Sequence, residues 1–217
     1  MALIHENQLD HVRFLYYQKY LSMKAIGSEL GVSIDAVCYF MRKHKLERRN
    51  GSENSTILFS RKPISYKIKN SLSASDLELK TAGIMLYWAE GYKTTKSKGI
   101  DFANSDQDMI AVFISFLRKI CGVDAKRLRV LLYCYSNQSP AKLVDFWSKL
   151  TKIPKSQFTK PYVRTDFRLD RKDKMKMGMV HIRYSDKKLW LQVLQWIKEY
   201  QQKLLRVGGG VVNRTTL

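Results

Sequence analysis

The chain has 217 residues, 45% of them hydrophobic and 12% aromatic, which is enough to fill a packed core and excludes a disordered chain. Lysine and arginine (39) far exceed aspartate and glutamate (19), and the net charge of +20 favours a polyanionic partner, most commonly nucleic acid. Without an apolar run of about 18 residues or a signal-peptide pattern, the sequence predicts an intracellular protein, cytoplasmic or nucleoid-associated, with no membrane partner.

Helical spacing of apolar residues marks the first 49 positions. The segment SMKAIGSELGVSIDAVCYFMRKH places N-caps at Ser22 and Ser33 and a turn glycine, Gly31, between two short helices. This pattern resembles the helix-turn-helix of DNA-binding proteins, and we predict such a domain over residues 1–49. The alternative is a small helical bundle in which the glycine merely turns the chain.

The second helix of this pattern would enter the major groove of DNA. Its basic exit would meet phosphates, and its exposed face would meet bases. The residues predicted to contact DNA are Ser33, Ile34, Asp35, Tyr39, Arg42 and Lys43.

Residues 50–75 are rich in serine, asparagine and lysine, a composition that predicts a linker. A second domain is predicted over residues 76–205, and the tail 206–217 is predicted to be flexible. The domain would open with a helix whose capping box pairs Ser75 with Glu78 and which stops at Gly91.

After this helix, helical and strand patterns alternate along the second domain. Strands are predicted at 99–103, 128–136, 158–167 and 178–185, and helices at 105–120, 139–150 and 187–205. Such an order predicts an α+β domain with one sheet covered by helices. The last two strands would bracket a basic hairpin.

One stretch of the first helix, TAGIMLYWAEGYK, stands out in so basic a chain. Its single carboxylate, Glu90, lies directly before Gly91, at the foot of a stripe that contains Ala82, Leu86 and Ala89. Small residues on such a stripe let a second helix approach closely, which would bring two carboxylates together. Two close carboxylates repel unless a divalent cation lies between them, and Mg²⁺ prefers oxygen ligands.

The segment GIMLYWAEG resembles the LAGLIDADG motif of homing endonucleases. The closing Ala-acid-Gly matches as Ala89, Glu90 and Gly91, and Leu86 matches the second leucine of the motif; Trp88 replaces the first motif acid. The resemblance extends in outline from about Ser75 to Leu205. It implies a motif helix followed by a DNA-facing antiparallel sheet and later covering helices.

The resemblance also implies an activity. Single-motif members of this family are homodimers that cut double-stranded DNA at roughly palindromic sites. Glu90 would be the catalytic residue and would bind Mg²⁺ or another divalent cation, together with the backbone carbonyl of Ala89. The residue-based alternative for Glu90 is a helix-end carboxylate in a salt bridge.

Basic residues of the second domain are interpreted as contacts to DNA, with a solvated strand face as the alternative. Three follow the motif helix on a predicted first strand, and the others lie in and around the basic hairpin. They are Lys93, Lys96 and Lys98, followed by Lys160, Arg164, Arg168, Lys172 and Arg183.

The sequence therefore predicts a site-specific, metal-dependent DNA endonuclease with an added helix-turn-helix. A non-catalytic transcription regulator on the same scaffold is the second hypothesis, favoured by the missing first acid at Trp88. An RNA-binding maturase is the third, because some relatives in the family assist intron splicing.

Overall fold

A computed structural model describes residues 3–165 and 175–207 of the chain. Two compact units are present, Met1–Pro63 and Ile64–Leu217. In the described part of the first unit, the α-helices are α1 (Leu9–Arg13), α2 (Met23–Leu30), α3 (Ile34–Lys43) and α4 (Gly51–Arg61). A π-helical segment, Phe14–Gln18, continues α1 directly.

Apolar residues of α1, α2 and α3, of the π-helical segment and of the chain just after α3 form the core of the first unit. The buried residues are Val12, Leu15, Tyr16, Ile26, Val37, Phe40, Met41 and Leu46. Gly27 of α2 lies close to the chain that leads into α3, because a β-carbon at Gly27 would be 2.8 Å from the carbonyl oxygen of Val32. Gly31 has φ +67, which glycine adopts without strain, and it ends α2 as predicted.

The segment predicted as a linker over residues 50–75 has two structured parts. Its first part is α4, where the side chains of Asn50 and Glu53 form a capping box. This local start signal was missed because the surrounding serines and asparagines suggest a loop. The second part pairs with the second unit, since the backbone N–H groups of Lys67 and Lys69 donate to the carbonyls of Gly122 and Ile120.

The second unit contains the remaining helices and strands that the structure describes. The helices are α5 (Ala74–Glu90), α6 (Gln107–Lys119), α7 (Pro140–Thr151) and α8 (Lys187–Val207). The strands are β1 (Ile100–Asn104), β2 (Arg129–Tyr135), β3 (Tyr162–Arg164) and β4 (Met179–Tyr184). Helix α5 begins two residues earlier than the predicted N-cap Ser75 implies, because Ser73 and Asp76 form the capping box.

The described strands form one sheet of order β1-β4-β2-β3. Strand β4 pairs antiparallel with both β1 and β2, but β3 pairs parallel with β2. The sheet is therefore mixed, and the prediction of a wholly antiparallel sheet is wrong. The predicted hairpin of the last two strands is also wrong, because β2 lies between β3 and β4. The crossover through α7 lets β3 run parallel to β2.

Alternating residues of the strands turn one face of the sheet toward the helices. Phe102 of β1 stacks on Phe113 of α6 with ring centroids 4.1 Å apart, and the ring of Tyr87 of α5 also stacks on Phe113, at 5.8 Å. Trp147 of α7 and Trp196 of α8 are buried in the same core. The coarse α+β prediction is confirmed. No helix among the described residues combines the length and apolarity needed to span a bilayer.

Candidate nucleic-acid interface

Helix α3 presents its polar face to solvent. Ser33 caps the helix, because its Oγ accepts a hydrogen bond from the backbone N–H of Ala36 at 3.1 Å. Ile34 and Tyr39 are exposed hydrophobic residues, at 45% and 62%. The residues predicted to contact DNA here are all exposed: Ser33, Ile34, Asp35, Tyr39, Arg42 and Lys43.

Arg42 and Lys43, at the end of α3, differ in whether their side chains are paired with another residue. Lys43 forms an ion pair with Glu6, and His44 lies beside the same carboxylate. The hydrogen bond to Glu6 raises the pKa of Lys43 above its usual range. Arg42 has no side-chain hydrogen bond or ion pair to any described residue, so its guanidinium is free to bind phosphate.

The end of α5 carries the candidate catalytic carboxylate. Glu90 is the last helical residue and is exposed. Gly91 has φ −75, so its role is close packing: a β-carbon there would lie 2.4 Å from Cδ2 of Tyr87. Gly91 pairs with Phe102 of β1, and the N–H of Tyr92 donates to the carbonyl of Asp101 at 2.9 Å. Glu90 therefore lies at the edge of the sheet, beside β1.

At this helix end the Glu90 carboxylate and the Ala89 carbonyl oxygen accept no hydrogen bond from a described residue. No described residue forms a hydrogen bond or an ion pair with the Glu90 carboxylate, and none donates to the carbonyl of Ala89. Both are hard oxygen ligands of the kind that Mg²⁺ binds. Within the described ranges no three His, Cys, Asp or Glu side chains cluster as a metal site. One helix end by itself therefore offers two ligand oxygens, fewer than the coordination of a divalent cation requires.

Part of the small-residue stripe of α5 packs against another helix of the same chain. Gly83 is buried against Phe116 of α6, so it is not available to a second subunit. Ala82 is half-buried, and Ala89 and Met85 are exposed on the side of the helix that remains open. A second helix would therefore meet Ala82, Met85 and Ala89.

The three lysines after α5 lie in the loop before β1, and the prediction that they occupy a strand is wrong. Lys93 turns back onto the helix: its Nζ donates to the carbonyls of Trp88 at 2.9 Å and Gly91 at 2.7 Å. A cation at this end of a helix complements the helix dipole. Lys96 and Lys98 are exposed, and no described residue pairs with their side chains.

Side chains of the face opposite the helices define what we call the open sheet face: Asp101, Tyr133, Tyr162, His181 and Arg183. Tyr133 lies between two rings, with centroids 5.0 Å from Tyr162 and 4.9 Å from His181. Asp101 accepts hydrogen bonds from both His181 and Arg183. Aromatic rings beside an arginine suit contact with bases as well as phosphates.

The remaining predicted contacts are distributed around this sheet. Lys160 is exposed just before β3, and Arg164 of β3 lies over the ring of Tyr135 at 5.8 Å. Arg168 and Lys172 lie outside the described residues. The structure thus brings Arg183 to the open sheet face and leaves Lys93 at the end of α5.

Asp101, Tyr133 and His181 were not predicted as part of an interface. A usable signal was present, because the strand patterns IDFAN and MVHIRY alternate buried and polar residues, which assigns Asp101, His181 and Arg183 to one face.

In comparisons with known proteins, no family model, no curated protein and no solved structure matches this chain.

Proposed function

We propose that this chain binds duplex DNA and cleaves it at a specific site as a divalent-metal-dependent endonuclease. The observation that carries the proposal is the end of α5, where an exposed carboxylate and an open carbonyl oxygen stand beside the sheet in a strongly basic chain. Helix α5 precedes the described strands of the second unit, as the LAGLIDADG resemblance implies for its motif helix, whereas α6 and α7 lie between strands and β3 pairs parallel with β2.

DNA binding is supported by charge and by exposed side chains in each unit. In the first unit α3 offers the exposed side chains of Tyr39 and, in its last turn, Arg42. In the second unit the open sheet face combines Arg183 with two tyrosines. A chain of net charge +20 gains affinity for any duplex through release of counterions, while base contacts set the preferred sequence.

The cleavage proposal requires a symmetric dimer, because one chain brings one carboxylate and one carbonyl to the metal site. Ala82, Met85 and Ala89 provide a face of small and flexible side chains against which a second α5 would pack. Glu90 and the Ala89 carbonyl of both copies would hold the cation. When bound, a divalent cation lowers the pKa of a water and stabilises charge on the phosphate.

The test is cleavage of a supercoiled plasmid library with and without Mg²⁺, using Glu90→Gln and the matched control Glu78→Gln. Glu78 lies on the same helix and is also exposed, so both variants lose one negative charge. We expect Mg²⁺-dependent cleavage by the wild type and by Glu78→Gln, and loss of cleavage with retained DNA binding in Glu90→Gln. Equal cleavage by the two variants would exclude Glu90 as the metal ligand.

A non-catalytic DNA-binding regulator is the second candidate. It is favoured by Trp88 in place of the first motif acid and by the use of Gly83 within its own chain. Sequence-selective binding by the wild type without cleavage in Mg²⁺ or Mn²⁺ would support this candidate over the nuclease.

A further inference from the structure

Asp101 of β1 holds two side chains of the neighbouring strand β4 in place. Its Oδ2 accepts a hydrogen bond from Nε of Arg183 at 2.8 Å. Its Oδ1 lies 2.8 Å from Nδ1 of His181. Because a carboxylate only accepts, the proton of this second bond must be on Nδ1. Asp101 and Arg183 are directly opposite in the register, so the pairing needs no displacement of either strand.

Asp101 binds Nε of Arg183 and does not bind the two terminal nitrogens of the guanidinium. The two terminal nitrogens of Arg183 have no partner among the described residues, and 37% of the side chain is exposed. Arg129, opposite Arg183 on β2, is directed elsewhere, since its Nη1 donates to the carbonyls of Lys126 and Leu128 at 2.7 Å. Arg183 therefore presents a fixed pair of parallel donors on a central strand of the sheet.

The neighbouring carboxylate decides which DNA group this fork suits. A phosphate would be repelled by Asp101, which also offsets the positive charge that would attract it. The edge of a guanine carries no net charge and offers two acceptors, O6 and N7, spaced for a two-pronged arginine. Arg183 lies on the open sheet face, and the guanine edge that carries these two acceptors is exposed in the major groove.

We propose that Arg183, oriented by Asp101, reads a guanine in the major groove of the DNA that this chain binds. Asp101 is a positioning residue, and Arg183 determines specificity. The inference rests on the proposed DNA binding and is independent of cleavage.

The experiment is selection from a duplex DNA pool with a randomised central segment, followed by sequencing of the bound fraction. Wild type is compared with Arg183→Lys, which keeps the charge and loses the fork, and with Asp101→Asn, which keeps the size and loses the charge. Arg129→Lys is the matched control, because it makes the same exchange on the neighbouring strand. Affinities are then measured for the best selected duplex and for a scrambled duplex, after circular dichroism confirms folding.

We expect a guanine preference in the wild type and in Arg129→Lys that is lost in Arg183→Lys. The affinity of Arg183→Lys for the selected duplex should fall by about tenfold or more, the usual discrimination of a two-pronged contact. Asp101→Asn should bind the selected duplex more weakly, and the scrambled duplex equally or more tightly.

The difference between the two duplexes in their response to Asp101→Asn distinguishes base reading from phosphate contact. If Asp101→Asn bound both duplexes more tightly by the same factor, Arg183 would be a phosphate contact. Retention of the guanine preference in Arg183→Lys would also overturn the inference while leaving DNA binding intact. If the wild type selected no sequence and bound no duplex, the proposed function itself would fail.

Discussion

Gly83 of α5 lies directly under the ring of Phe116 of α6, so that a β-carbon built at Gly83 would be 2.1 Å from Cγ of Phe116. The two helices can approach this closely because the glycine has no side chain. We expect Gly83→Ala to lower the free energy of unfolding by about 1–3 kcal/mol or more, since Phe116 is fully buried and cannot move aside. This expected loss is the net value, after the roughly 1 kcal/mol that alanine gains over glycine in a helix has been subtracted.

Denaturant unfolding of the two proteins measures this difference. Gly51→Ala is the control, because a β-carbon at Gly51 meets no heavy atom within 4 Å and should not destabilise. An unchanged or raised unfolding free energy for Gly83→Ala would mean that the α5–α6 contact is looser than the structure shows.

Asp76 stabilises the start of α5 in a manner that depends on pH. A hydrogen bond from Lys69, followed by hydrogen bonds from the backbone and hydroxyl of Ser73, lowers the pKa of Asp76 from 3.8 to about 2. A carboxyl with a lowered folded-state pKa stabilises the fold fully above its unfolded pKa and loses that contribution as the pH falls. The contribution should therefore be complete above about pH 5 and vanish progressively toward pH 2.

Unfolding free energies of the wild type and Asp76→Asn, measured from pH 6 down to pH 2.5, should converge in acid. Lys69→Met removes the strongest partner of the carboxylate, at 2.6 Å. In the Lys69→Met background the pKa of Asp76 should lie nearer its ordinary value, which moves the convergence to higher pH. A difference between wild type and Asp76→Asn that stays constant with pH would contradict the assignment.

Among the lysines after α5, we expect Lys93 to stabilise the fold, and Lys96 and Lys98 to contact DNA. Lys93→Met removes a charged donor from the carbonyls of Trp88 and Gly91, so we expect a loss of about 1 kcal/mol in unfolding free energy. Lys96→Met and Lys98→Met should leave stability unchanged. Each should lower the slope of log affinity against log salt by about 0.9 if the residue binds a phosphate.

These effects are measured by thermal unfolding and by DNA titration at several salt concentrations. A salt slope that falls in Lys93→Met as far as in Lys96→Met, without loss of stability, would show that Lys93 binds DNA and does not cap the helix.

Much of the local structure could be predicted because its signals act within one turn. Ser33 caps α3 as predicted, and α5 ends at Glu90 before Gly91, since capping and helix termination depend on residues three or four positions apart. The capping box of Asn50 and Glu53 was equally readable and was overlooked in a polar segment.

What the sequence determined by itself was the charge, the amphipathic helices, the carboxylate before Gly91 and the alternation that puts Asp101, His181 and Arg183 on one face. The order of the strands in the sheet follows from long-range packing, and so does the hydrogen bond between Asp101 and Arg183, which are 82 positions apart in the chain. The packing of Phe116 against Gly83 and the pairing of β3 with β2 are also long-range contacts. The physical reason is that such contacts depend on strand order and helix packing, which bring together residues far apart in sequence.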